Sequence, residues 1–212
     1  MNELTELGKA LLSLNEDRVK SLVDRKISAG EDPLAIIEEC NGAMVEVGNL
    51  FSKNEYFISE LVMSGEIFNS IMAKLEPLLG ERKGGAPSKG KVVIGTVKDD
   101  IHDIGKNIVV TFLKGTGFEV IDLGVDVPSE VFVKTLKDQK AKVLGLSALL
   151  NFTFPEMKKV VDELTAAGLR DQVKVIIGGS PCNEQVRQFT GADYYAKDAA
   201  EGARICETIL GS

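Results

Sequence analysis

The chain has 212 residues, 44% of them apolar and 27% charged, with a formal net charge of −7. That length and balance suit one large or two modest domains, each with its own core, and exclude a disordered or fibrous chain. The acidic excess argues against a nucleic-acid partner, which needs clustered Lys and Arg. No apolar run approaches a membrane span and Met1-Asn2-Glu3-Leu4-Thr5-Glu6 lacks the basic start of a signal peptide, so a cytoplasmic location without a membrane partner is expected.

Residues 1–81 read as helices. Leu4, Leu7, Leu11 and Leu14 make one face; Val19, Leu22, Val23 and Ile27 make a second, ended by Ala29-Gly30. Asp32-Pro33 is a cap and first-turn pair. Leu34, Ile37, Cys40, Met44, Val47 and Phe51 then step by three or four residues, Ser52 to Glu55 turns the chain, and Phe57, Leu61, Phe68, Ile71, Met72 and Leu75 form a last stripe before Pro77. Short connections between such helices predict a four-helix bundle.

Residues 82–90, rich in Gly, Pro and Ser, read as a linker. From Lys91 to residue 212, strands near 91–97, 118–123, 142–147, 173–178 and 192–196 alternate with helices near 105–116, 128–139, 155–168, 182–190 and 198–210. The pattern predicts an α/β domain: a five-stranded parallel sheet of Rossmann type in the flavodoxin-like order 2-1-3-4-5. Asp198 with Glu201 reads as the cap of the last helix.

Cys40, Cys182 and Cys206 are odd in number and far apart, as expected of reduced thiols. Cys40 and Cys206 fall on apolar helix faces. Cys182 follows Gly178-Gly179-Ser180-Pro181 near a helix start, where a thiol pKa can be lowered, but no general base accompanies it.

The stretch Val97 to Asn107 carries the chemistry. His102, the only histidine, falls on the loop between the first strand and its helix, at the strand end where an open α/β sheet forms its ligand crevice. Asp100 is close enough to take a hydrogen bond from one ring nitrogen and leave the other free for a metal; Gly105 keeps the helix start small. Taken alone, a single loop histidine is equally compatible with plain solvent exposure, and Gly178-Gly179 with a simple turn.

Asp100-x-His102-x-x-Gly105, Ser147-x-Leu149 and Gly178-Gly179, in that order on three strand ends, resemble the signature of base-off, histidine-on cobalamin-binding domains. Met44 to Leu79 resembles the helical cap that accompanies them. The whole chain is similar to the small corrinoid proteins of anaerobic methyltransferase systems, and to the cap plus cobalamin-binding domains of cobalamin-dependent methionine synthase.

The resemblance implies a base-off cobalamin or related corrinoid with His102 as lower axial ligand of cobalt, tuned by Asp100 and by a hydroxyl at Thr153. It implies that Ile104 and Gly105 lie beside the ring, and that Ser147, Leu149 and Asn151 line the slot for the displaced base. Gly178 and Gly179 would admit the nucleotide tail, and Phe51, Ile58 and Leu61 would shield the methyl group. Periodicity alone leaves those last three equally at home in a bundle core. Two positions depart from the family pattern: Asp99 stands where glycine is usual, and Asn151 replaces a small hydroxyl.

The implied role is a methyl carrier of one-carbon metabolism, not a complete enzyme by itself. Its partners would be a substrate-specific methyltransferase, a methylcorrinoid-to-acceptor methyltransferase serving tetrahydrofolate or a thiol, and a reductive activase. Two other classes share parts of this pattern. A cobalamin-dependent light or redox sensor is disfavoured by the missing basic module, tryptophan and cap histidine; the small subunit of a radical mutase has no need of residues 1–81. A receiver-type signalling domain explains the sheet but not His102, Ser147 or Gly178.

Overall fold

The computed structural model describes residues 4–79 and 88–211. The chain divides into two compact units with the main boundary at Ser88 and Lys89, Lys114–Gly117 grouping with the first. The expected boundaries at 81 and 91 bracket that point, and residues 82–87 of the expected linker lie outside the described residues.

The first unit contains α1 (Glu6–Leu12), α2 (Glu16–Ser28), α3 (Pro33–Ser52) and α4 (Ile58–Leu75), followed by a 3-10 turn at Glu76–Leu79. Each of the first three is started by a side chain that takes an otherwise orphaned N–H: Thr5 from Gly8, Asn15 from Arg18, and Asp32 from Leu34 with Pro33 in the first turn. Their inward stripes, among them Leu7, Leu11, Leu22, Ile36, Val47, Phe68 and Ile71, are buried.

Three expected stripe positions fall outside the helices, the first being Leu4, which precedes the Thr5 cap of α1. Leu14 sits in a left-handed turn at φ 56, because Asn15 is committed to capping α2 and α1 has already ended at Leu12. Phe57 precedes α4, where its N–H donates to Glu60 Oε2 at 2.8 Å, and its ring is exposed rather than in the core.

The second unit is a parallel sheet in the order β2-β1-β3-β4-β5. Its strands are β1 (Lys91–Thr96), β2 (Glu119–Asp122), β3 (Val143–Ser147), β4 (Lys174–Gly178) and β5 (Tyr194–Ala196), each followed by a helix: α5 (Ile104–Gly115), α6 (Ser129–Gln139), α7 (Phe154–Ala166), α8 (Glu184–Thr190) and α9 (Ala199–Leu210). The flavodoxin-like order expected from the sequence is the one observed. Val93, Leu144, Val175 and Ile177 are fully buried, as a sheet covered on both faces requires.

Several element ends differ slightly from expectation. β5 is only three residues long, because Asp193 just before it uses its carboxylate on the Val175 N–H at 2.8 Å. α8 begins at Glu184, two residues late, because Asn183 is its cap and accepts from the Val186 N–H. α9 is capped by Asp198 as expected, while the Glu201 carboxylate accepts from the Lys197 N–H at 2.8 Å.

The register does more for function than the order alone. Thr96 pairs with Ser147 and Ser147 with Gly178, so the three motifs leave the sheet side by side at the same height. β1 and β3 flank the point where the connections change direction, which is where open α/β sheets leave a crevice.

Candidate functional site

Asp100 is the hub of that crevice. It is fully buried, yet its two oxygens are saturated by donors from two loops. Oδ1 takes the His102 N–H at 3.1 Å and lies 2.7 Å from His102 Nδ1. Oδ2 takes the backbone N–H groups of Leu149 at 2.7 Å and Leu150 at 3.1 Å. Burial alone would raise its pKa, but the donors from His102, Leu149 and Leu150 outweigh it and hold the carboxyl down at about 2.

An ionised Asp100 fixes the histidine tautomer. With a carboxylate acceptor at Nδ1, that nitrogen carries the proton, so the Nε2 lone pair of the neutral ring is left as a donor to a ligand. The His102 side chain is 46% exposed, and its backbone carbonyl is pinned by the hydroxyl of Thr96 at 2.9 Å. Beside it, a Cβ added at Gly105 would meet nothing within 4 Å, so the start of α5 borders open space.

The loop carrying His102 is also tied to the loop after β2. Asp126 Oδ1 accepts from Lys98 Nζ at 2.6 Å and from the Asp99 N–H at 2.8 Å, and the Asp126 N–H donates to the Asp100 carbonyl at 2.9 Å. The Lys98 ammonium, then the Asp99 N–H, hold the Asp126 carboxyl below the usual carboxylate range. Asp99, the residue where glycine is usual in the resemblance, is left-handed at φ 66.

Several sequence-expected residues gather here and some do so differently from expectation. Ser147 is half-buried at the end of β3, and Leu149 and Asn151 are exposed on the following loop, as Ile104 is at the start of α5. Thr153 is buried behind Asp100, but its hydroxyl donates to the Leu150 carbonyl at 2.7 Å and stands 3.4 Å from Asp100 Oδ2. The shorter partners of that oxygen are backbone amides, which no side-chain pattern discloses.

Gly179 is required by the protein itself: at φ 129, a Cβ there would come within 1.9 Å of the Ala148 carbonyl oxygen. Gly178 would meet only the Ala196 carbonyl, at 3.8 Å. In the helical unit, Leu61 is 4% exposed and Ile58 is 62% exposed, with Phe51 half-buried at the end of α3. Cys182 is not activated; burial pushes its thiol up to about 11. Cys40 and Cys206 are core residues, as their helix faces predict.

The donor set fits a metal that brings most of its own ligands. Among the described residues no group of three or more His, Cys, Asp or Glu could hold a bare ion. A single imidazole nitrogen with a carboxylate behind it, facing open space, suits a metal already held in a macrocycle.

Fold and site together define a chain of the B12-binding class, and comparison with known proteins gives the same class. The B12 binding domain matches residues 90–205, and a second B12 binding domain matches residues 3–76. The chain belongs to this B12-binding family, and proteins similar to it over nearly their full length are corrinoid proteins. The dimethylamine corrinoid protein 1 of Methanosarcina acetivorans is 40% identical over 210 residues, spanning 98% of this chain and 97% of that protein. The trimethylamine corrinoid protein of Methanosarcina barkeri is 36% identical over 208 residues, 98% and 96% of the two chains.

Among solved structures, a cobalamin-binding protein from Desulfitobacterium hafniense DCB-2 superposes with a TM-score of 0.79 at 38% identity, covering 98% of both chains. The methanol:cobalamin methyltransferase complex of Methanosarcina barkeri gives 0.84 at 28% identity, over 97% of this chain and 78% of that one. No described helix is long and apolar enough to cross a membrane.

Proposed function

We propose that this chain carries a methyl group on a base-off corrinoid, with His102 Nε2 as the lower axial ligand, between a substrate-specific methyltransferase and a second, acceptor-specific one. The observation that carries the reading is the Asp100–His102 pair at the switch point of the sheet, with Nδ1 held and Nε2 presented. Dimethylamine and trimethylamine in the names of the relatives make a methylated amine the donor to test first. A reductive activase completes the proposed set of partners.

The corrinoid, when bound, supplies a cobalt centre able to accept and give up a methyl group. The protein's part is orientation and proton control. His102 would be the metal ligand, with Asp100 keeping the proton on Nδ1 so that Nε2 stays a donor. Ile104 and Gly105 would flank the ring; Ser147, Leu149 and Asn151 would receive the displaced base, with Gly178 and Gly179 beside the tail. Phe51, Ile58 and Leu61 are proposed to keep water from the methyl group, a role supported by their match to the family's cap.

The test is the electron paramagnetic resonance of the purified protein loaded with cob(II)alamin. Splitting by one protein nitrogen is expected in the wild type and absent in His102→Ala. A spectrum unchanged by that substitution would overturn the assignment of the ligand.

A further inference from the structure

Asp126 belongs to none of the motifs that mark the site, yet it bonds to the histidine loop at Lys98, Asp99 and Asp100. We propose that Asp126 is a positioning residue for His102, acting by holding Asp99 in the left-handed conformation from which the Asp100–His102 turn departs. The inference rests on His102 being the ligand, as proposed above.

The argument starts from cost. A non-glycine residue at positive φ is uncommon and is kept only where its surroundings fix it. Here two face each other, Asp99 at φ 66 and Asp126 at φ 53. The Asp99 side chain does little to fix its own backbone, since it pairs with Lys98 at 3.4 Å. What holds the peptide is external: Asp99 N–H to Asp126 Oδ1 at 2.8 Å on one side, and the Asp126 N–H to the Asp100 carbonyl at 2.9 Å on the other.

One residue thus closes the loop from both ends of the Asp99–Asp100 segment. The flanking bridge between Val97 and Val127, with the Val127 N–H on the Thr96 carbonyl at 3.0 Å, keeps Asp126 in place. The Lys98–Asp126 ion pair is exposed on both partners, and such pairs contribute little. The bond to the Asp99 N–H is therefore the one that sets the geometry. Sequence motifs miss this contact because it joins residues 27 apart.

If this is so, the need for Asp126 disappears when position 99 can be left-handed without cost, which glycine permits. The test is a double-mutant cycle on the full chain with Asp126→Gly, which removes the carboxylate without adding strain at its own left-handed position, and Asp99→Gly. Two readouts are taken. One is the affinity of corrinoid-free protein for aquocobalamin. The other, without corrinoid, is the solvent exchange rate of the His102 Nδ1 proton by nitrogen-15 NMR, where the single histidine makes assignment direct.

Asp126→Gly should weaken aquocobalamin binding about tenfold and speed Nδ1 proton exchange about tenfold, the scale of losing a group that orients a metal ligand. Asp99→Gly/Asp126→Gly should return to within about threefold of Asp99→Gly alone, whereas Lys98→Ala and Asp126→Asn, which leave an acceptor for the Asp99 N–H, should stay within about threefold of wild type. Unchanged values in Asp126→Gly, or a loss just as large on the Asp99→Gly background, would overturn the proposal. An Asp126→Gly protein that folds only with Asp99→Gly supports it, and one that unfolds in both backgrounds overturns it. Should His102→Ala bind aquocobalamin like wild type, the ligand assignment fails, and the proton exchange in corrinoid-free protein still decides the role of Asp126.

Discussion

The Thr153 hydroxyl lies 2.7 Å from the Leu150 carbonyl oxygen and 3.4 Å from Asp100 Oδ2. It has one proton to give, and the shorter contact takes it. Charge on Asp100 is instead met by the amides of Leu149 and Leu150, whose positions follow from the chain leaving β3. Thr153→Val should therefore lower aquocobalamin affinity by no more than about threefold, well short of the loss from removing a group that orients a ligand. An isothermal titration showing a loss beyond tenfold would return the hydroxyl to the relay expected from the sequence.

Asp100→Asn should be far more damaging although it is nearly isosteric. All the backbone groups facing position 100 from His102, Leu149 and Leu150 are donors, so one edge of an asparagine amide must face donors with its own NH2. If the amide oxygen stays with Leu149 and Leu150, the NH2 meets His102 Nδ1 and drives the ring proton to Nε2, the atom proposed to coordinate. A loss of about tenfold to hundredfold in corrinoid affinity is expected, with weakened nitrogen splitting in the cob(II)alamin spectrum. Full retention of both would show that the tautomer is set elsewhere.

The two glycines after β4 should separate under substitution. Gly179→Ala places a Cβ within 1.9 Å of the Ala148 carbonyl oxygen at an unfavourable φ, so it should lower folding stability by about 1–3 kcal/mol even without cofactor. Gly178→Ala meets only an atom 3.8 Å away and should leave the corrinoid-free melting temperature nearly unchanged. If it nonetheless weakens aquocobalamin binding, position 178 is needed by the nucleotide tail rather than by the protein. Thermal melts with and without corrinoid distinguish the cases.

Asp193 gives a pH signature remote from the site. Burial would raise its pKa, but the Arg170 guanidinium at 2.9 Å and the Val175 N–H at 2.8 Å outweigh it and hold the carboxyl below its ordinary 3.8. A depressed folded pKa adds stability that is fully present above the unfolded value and is lost as pH falls through the folded one. Asp193→Asn should cost about 1–3 kcal/mol at pH 7, the scale of a charged hydrogen bond, with the deficit shrinking steadily below pH 3.8. Denaturant midpoints that keep a constant gap down to pH 2 would assign the contribution to something other than charge.

The parts of the fold that rest on local pattern were legible in the sequence. Buried strands such as Val92 to Thr96 are continuous apolar runs, caps such as Asp32 and Asp198 sit where a short polar side chain meets an apolar period, and strand-helix alternation implies the parallel sheet. In the site, His102 and Asp100 lie two residues apart and could be read together.

What could not be read depends on register and on the main chain. Nothing in the side chains of Leu149 and Leu150 announces that their amides face Asp100, and nothing in Val125-Asp126-Val127 announces a strap on a loop 27 residues earlier. Thr96 looks like one more strand residue until its hydroxyl is found on the His102 carbonyl. Ile104 sits at apolar spacing with Ile108 and Phe112, yet stands exposed at the helix start.

The anchoring of Asp100 by amides from another loop means that its place does not depend on whether the imidazole is engaged. If His102 is the ligand of a carrier that serves more than one enzyme, as proposed, it has to let go and return in each cycle. With the carboxylate riveted from behind, the moving part is one ring and one proton, and the loops need not relax and be rebuilt between visits. Between one proposed partner and the next, the protein would then differ in its cargo and in that one ring, not in the loops around them.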